Sequence, residues 1–93
     1  MHQRRKAREV TLQVLYELDV QGIGVREAIE RFWANFDAPE ETRLFSTLLI
    51  EGAWSHREQI DKLISDNSEN WTMSRMSRVD KSILRMAVYE LLF

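Results

Sequence analysis

The chain predicts an all-α fold, and three observations carry that expectation. Helix breakers are scarce, confined to Gly22, Gly24, Gly52 and Pro39. No stretch alternates apolar and polar residues as a half-buried strand does. Apolar residues instead recur at i, i+3 and i+4, the spacing that lines one face of a helix.

The first helix is expected from about Arg4 to Asp19, with Ala7, Val10, Val14 and Leu18 on one face and Leu15 beside them. Gly22-Ile23-Gly24 ends it in a short turn. A second helix follows from about Val25 to Phe36. Its apolar positions are Val25, Ala28, Ile29, Phe32, Trp33 and Phe36. Asp37 is a suitable N-cap for the third helix, with Glu40 three residues on to close a capping box and Pro39 in the first turn. That helix is expected to be long, from about Pro39 to Ile64. Its buried stripe comprises Leu44, Phe45, Leu48, Leu49, Gly52, Ala53, His56, Ile60, Leu63 and Ile64. A mid-helix glycine costs about 1 kcal/mol against alanine. Gly52 is therefore expected where another helix crosses closely. Ser65 to Asn70 is a polar linker. The fourth helix should start between Ser74 and Ser77, either of which can cap it. Its apolar side is Val79, Ile83, Leu84, Ala87, Val88, Leu91 and Leu92.

Ninety-three residues make one small domain, 1–93. A chain of this size buries roughly 60–65% of its unfolded surface, enough for a modest helical core. It has no cysteine, which removes disulfides and thiolate metal sites and fits a reducing cytoplasm. No segment approaches the roughly 18 apolar residues of a membrane span, and Gln13, Glu17 and Asp19 break the Val10–Val20 stretch, so neither a span nor a signal sequence is expected. Catalytic patterns are missing too. His2 and His56 are too few and too far apart for a metal site, and His56 is expected to be a structural, satisfied histidine. Gly22-Ile23-Gly24 fails as a dinucleotide fingerprint because Glu27 replaces the third glycine and no strand precedes it. The adjacent Glu40 and Glu41 suit a helix start. Neither an enzyme nor a bound cofactor is expected.

Charge carries the functional signal. Arg4, Arg5, Lys6 and Arg8 place four positive charges and no acid in the first eight residues, while the other 85 hold nine Lys/Arg against fifteen Asp/Glu, a net −6. A helix N-terminus already favours anions, so a cluster of cations there opposes the helix dipole. Such a local conflict points to a ligand that supplies negative charge, and backbone phosphate is the commonest one. Gln13 and Tyr16 follow on the same helix, where Gln13 can hydrogen-bond a base edge and Tyr16 can stack on an unpaired base. Trp33, Trp54 and Trp71 are expected at the core or its rim. Asp80 and Arg85 sit on a helix with a dense apolar face, suited either to solvated helix pairing or to protein docking.

Two stretches carry a family resemblance. Arg4-Arg5-Lys6-Ala7-Arg8-Glu9 followed by Leu15-Tyr16, and Arg78-Val79-Asp80-Lys81-Ser82-Ile83-Leu84-Arg85-Met86-Ala87-Val88-Tyr89-Glu90-Leu91, resemble the NusB family of bacterial transcription antitermination factors. Leu48-Leu49 and Gly52 are similar to the family's long third helix. The resemblance implies an all-α RNA-binding fold of the NusB-like helical-bundle kind, with about four helices here. It implies recognition of boxA-type RNA in ribosomal RNA leaders. The expected partners are the small-subunit ribosomal protein that serves as NusE and the RNA polymerase antitermination complex. By position, Arg4, Arg5, Lys6, Arg8, Gln13 and Tyr16 would meet RNA, and Asp80 would lie at the edge facing RNA and NusE.

The family continues past this helix with further helices, so the chain is expected to correspond to its N-terminal two-thirds, a truncated domain with the C-terminal helices missing. An uncovered fourth helix would then favour self-association. Two other readings follow from the same residues: the RNA-binding domain of a ribosomal RNA cytosine methyltransferase, and a structural helical oligomer that binds no RNA.

Overall fold

A computed structural model of the chain describes residues 2–67 and 75–93. They form five helices: α1 (His2–Gln21), α2 (Val25–Asn35), α3 (Glu40–Ser55), α4 (Arg57–Asp66) and α5 (Arg78–Leu92). No strand occurs among the described residues. The expected Ser74 cap, Trp71 and the second half of the polar linker, 68–70, lie outside them.

α1 is the central helix and packs against α2, α3 and α5. Its predicted stripe holds: Val10, Val14, Leu15 and Leu18 join Ala28, Ile29 and Phe32 of α2, Ile50 and Ala53 of α3 and Met86 of α5 in one core. Gly22 ends α1 at φ 68, a left-handed conformation that costs glycine little, and its N–H donates to the Leu18 carbonyl at 3.2 Å. Trp33 and Trp54 lie half-buried against the core, as expected.

Of the buried stripe expected for the third helix, Leu49, Ala53 and Ile60 are buried, but Leu44, Leu48 and Leu63 face outward, and Thr42, Ser46 and Ile50 turn inward instead. Leu44 and Leu48 are 60% and 66% exposed, while Thr42 and Ser46 are fully buried against α1 beside Ala7 and Thr11. The small side chains let the α1 and α3 backbones approach, and their hydroxyls are satisfied locally. Ser46 Oγ donates to the Thr42 carbonyl at 2.6 Å, and Thr11 Oγ1 donates to the Ala7 carbonyl at 2.7 Å. The start of α3 also differs from expectation. The N-cap is Pro39 rather than Asp37, whose Oδ1 instead accepts the Ala38 N–H at 2.9 Å. Proline holds Ala38 away from helical geometry, and Pro39 itself is non-helical at φ −57, ψ 150, so the helix begins at Glu40. Phe36 lies outside α2, 59% exposed, and stacks on Phe32.

The single long third helix is two helices, broken at His56 (φ −100, ψ 10). The Gly52 carbonyl accepts the His56 backbone N–H at 3.1 Å and lies 2.9 Å from His56 Nδ1. The Arg57 guanidinium donates to the Trp54 carbonyl at 2.7 Å. Side chains thus take up carbonyls at the end of α3, and the chain turns before α4. His56 is the satisfied structural residue expected, with its ring 4.4 Å from that of Phe93.

α5 starts at Ser77, whose hydroxyl accepts the Asp80 N–H at 3.1 Å. Its inward residues are Ser82, Arg85 and Met86. Val79, Ile83, Leu91 and Leu92, expected on the core side, are 43–82% exposed. The Gly52 crossing is confirmed: Tyr89 of α5 lies directly over it, so that a Cβ on residue 52 would fall 2.6 Å from Tyr89 Cε1 and closer still to Cζ and Oη.

Candidate nucleic-acid interface

Side-chain pairings show that α1 and α5 run antiparallel. Arg8 meets Glu90 near one end, and Asp19 meets Arg78 and Arg85 near the other. Between them Leu12, Gln13 and Tyr16 of α1 and Val79, Ser82 and Ile83 of α5 line an apolar hollow of about 240 Å³. The first turns of α1 carry no acid.

The four expected cations do not share one environment. Arg4 is exposed and sits with its guanidinium carbon 4.9 Å from the centre of the Phe45 ring, on the α3 side. Arg5 is exposed. Lys6 is exposed, with Nζ 3.8 Å from the Glu9 carboxylate. Arg8 is half-buried. Its Nε donates to Glu90 Oε1 at 2.8 Å and its Nη2 to Oε2 at 2.9 Å, a two-pronged pair that raises the Arg8 pKa through the hydrogen bonds first and the charge of Glu90 second. On the helix surface Arg5, Arg8, Leu12 and Tyr16 share the flank towards α5. Tyr16 is 42% exposed. At 1.5 Å rise per residue it sits about 12 Å along α1 from Arg8, a span of roughly two extended nucleotides. Gln13, also exposed, borders a second hollow of about 180 Å³ that includes Lys6, Glu9, Trp33 and Phe36. Asp80 is exposed on the first turn of α5, next in sequence to Val79 of the apolar hollow.

The polar bolt beneath this face was not expected. Arg85 is only 7% exposed and grips Asp61 of α4 through Nε (2.9 Å) and Nη2 (2.7 Å), while Nη1 lies 3.5 Å from Asp19 of α1. Its pKa is raised by the hydrogen bonds to Asp61, against the opposing effect of burial, with the charges of Asp61 and Asp19 adding to them. Arg85 is therefore neither a solvated helix partner of Asp80 nor a docking residue. It ties α1, α4 and α5 together. Nothing local in the sequence marks this, because the partners lie 24 and 66 residues away. Among the described residues no cluster of three or more His, Asp or Glu could hold a metal, and no helix is long and apolar enough to cross a membrane.

The model of the NusB family matches residues 5–93. The chain belongs to the NusB family. Relatives agree: the transcription antitermination protein NusB of Syntrophus aciditrophicus is 62% identical over 93 residues, which are all of this chain and 58% of that protein. The protein of the same name from Trichlorobacter lovleyi is 46% identical over 90 residues, covering 97% of this chain and 63% of its own length. The chain thus spans about three-fifths of the length of these curated relatives. The solution structure of NusB from Aquifex aeolicus superposes with a TM-score of 0.83 at 27% identity, covering 99% of this chain and 63% of that one. A chain in the crystal structure of a plectonemic RNA supercoil superposes with a TM-score of 0.88 at 28% identity, covering 100% of this chain and 68% of that one. The NusB-like helical bundle expected from the sequence is the fold observed.

Proposed function

We propose that this chain is the RNA-contacting part of a transcription antitermination factor. It binds single-stranded, boxA-type leader RNA through the first turns of α1 and acts with the ribosomal protein that serves as NusE in the RNA polymerase antitermination complex. The observation that carries this reading is the acid-free basic start of α1 on an otherwise acidic chain, flanked on the α5 side by Tyr16 and an apolar hollow. Cations there draw the RNA backbone, Tyr16 offers a stacking face, and Gln13 offers a donor and an acceptor for a base edge. Asp80, beside the hollow, is assigned to the NusE edge. The names of the relatives and the RNA in the crystal structure of a similar chain support the reading.

Fluorescence anisotropy with a labelled boxA-type oligonucleotide, read at several salt concentrations, tests it. Each phosphate contact on a single strand adds about 0.7 to the slope of log K against log salt. R4A and R5A should each weaken binding and flatten the slope by that amount. Slopes identical to wild type in both variants would refute the α1 phosphate contacts, and no binding by the wild type would leave a structural helical protein and refute the RNA reading.

A further inference from the structure

The basic start of α1 contains a carboxylate that does not belong to α1. Glu90, 82 residues further along, reaches back from α5 and takes the Nε and Nη2 of Arg8 at 2.8, 2.9 and 3.1 Å. Of the four cations, Arg8 alone is half-buried. The arrangement is the fork-to-carboxylate geometry that arginine also uses for phosphate, so the same donors cannot serve both. The pair is not buried away from a ligand, since the Arg8 side chain keeps 41% of its surface and that of Glu90 keeps 26%.

We propose that Glu90 is an internal competitor for RNA phosphate: it holds Arg8 out of the phosphate-contacting set and sets how many cations the tip offers. The inference rests on the RNA reading of α1 and goes beyond it. Arg8 then acts as a positioning residue that fixes the first turns of α1 against α5. Phosphate contacts fall to Arg4, Arg5 and Lys6. Glu90 also places a negative charge where an anionic backbone must pass, so it limits indiscriminate binding to polyanions and leaves more of the selectivity to the base-contacting residues.

The two roles separate in the salt dependence of RNA binding, measured with the boxA-type oligonucleotide on the whole chain. E90A and E90Q both remove the competing charge and release Arg8. Either should steepen the slope by about 0.7 and raise affinity about fivefold at 0.1 M salt, the worth of one added phosphate contact. R8A should leave the wild-type slope unchanged, and R8A/E90A should return to it. Circular dichroism of each variant confirms the fold, and the two Glu90 substitutions on an exposed helix position stand in if R8A unfolds. An R8A slope flattened as much as that of R5A, with E90A and E90Q neutral, would overturn the inference and leave the RNA reading intact. Absence of binding by both wild type and E90A would overturn both.

Discussion

Replacing Gly52 by alanine should change sign with its neighbour. On an isolated helix the substitution gains about 1 kcal/mol. In this fold the new methyl carbon would fall 2.6 Å from Tyr89 Cε1 and closer still to the ring's far end, well inside van der Waals distance. To make room, Tyr89 must give up its ring contacts with Phe93, 5.7 Å away, and His56, 5.8 Å away. Overpacking of this kind costs about 1–3 kcal/mol. The propensity gain offsets part of it, so G52A should destabilise by up to about 2 kcal/mol. Y89A removes the obstacle, and in that background G52A should stabilise by about 1 kcal/mol. The coupling between the two sites is then the overpacking cost itself, about 1–3 kcal/mol. Urea unfolding at 25 °C, followed by tryptophan fluorescence and circular dichroism, measures all four corners of the cycle. A G52A that stabilises the wild type, or that has the same effect in both backgrounds, would refute the crossing-point argument.

Other perturbations are read the same way. R85M keeps the volume but leaves Asp61 without its cation and Asp19 with Arg78 at 3.9 Å; because both acids are partly exposed, the expected loss is about 2–3 kcal/mol, a fall of about 10–20 °C in melting temperature. A melting temperature within 2–3 °C of wild type would deny the bolt its role. S77A deletes the hydroxyl that accepts the Asp80 N–H and should cost about 1 kcal/mol, with faster amide exchange confined to the first turn of α5. L91E, at a site 82% exposed, should leave stability within about 0.5 kcal/mol while abolishing self-association through the apolar end of α5 in sedimentation experiments; a wild type that sediments as a monomer at high micromolar concentration would remove that expectation.

The helices with one dominant apolar face were readable. Ala28, Ile29 and Phe32 of α2 and Val10, Val14 and Leu18 of α1 sit where a 3.6-residue period puts them. Along α3 Leu49 and Ala53 also sit where the period puts them, but Leu44 and Leu48 do not, because large leucines outweigh small hydroxyls in any hydrophobicity argument. A close helix crossing reverses that preference: Thr42 and Ser46 fit where Leu44 and Leu48 would not. The break at His56 left no glycine or proline to find, because it is made by a ring nitrogen and a guanidinium bound to carbonyls of the preceding turn. The same limit applies to the interface. The cations of α1 announce themselves by composition, and Tyr16 and Gln13 by proximity to them. Glu90, and the hollow that Val79 and Ile83 complete, come from a helix at the far end of the sequence and exist only through tertiary packing.

The central position of α1 also has a consequence in time. The helix that carries the basic residues is synthesised before α5, and the carboxylate that clamps Arg8 is 82 residues behind it. At about 5–20 residues per second, roughly 4–16 s of synthesis separate the two. For that interval α1 must wait with its α5-facing flank uncovered and Arg8 without its partner. Until α5 is made, the Arg8 guanidinium lacks its carboxylate, and the arrival of Glu90 is the event that withdraws it from other anions.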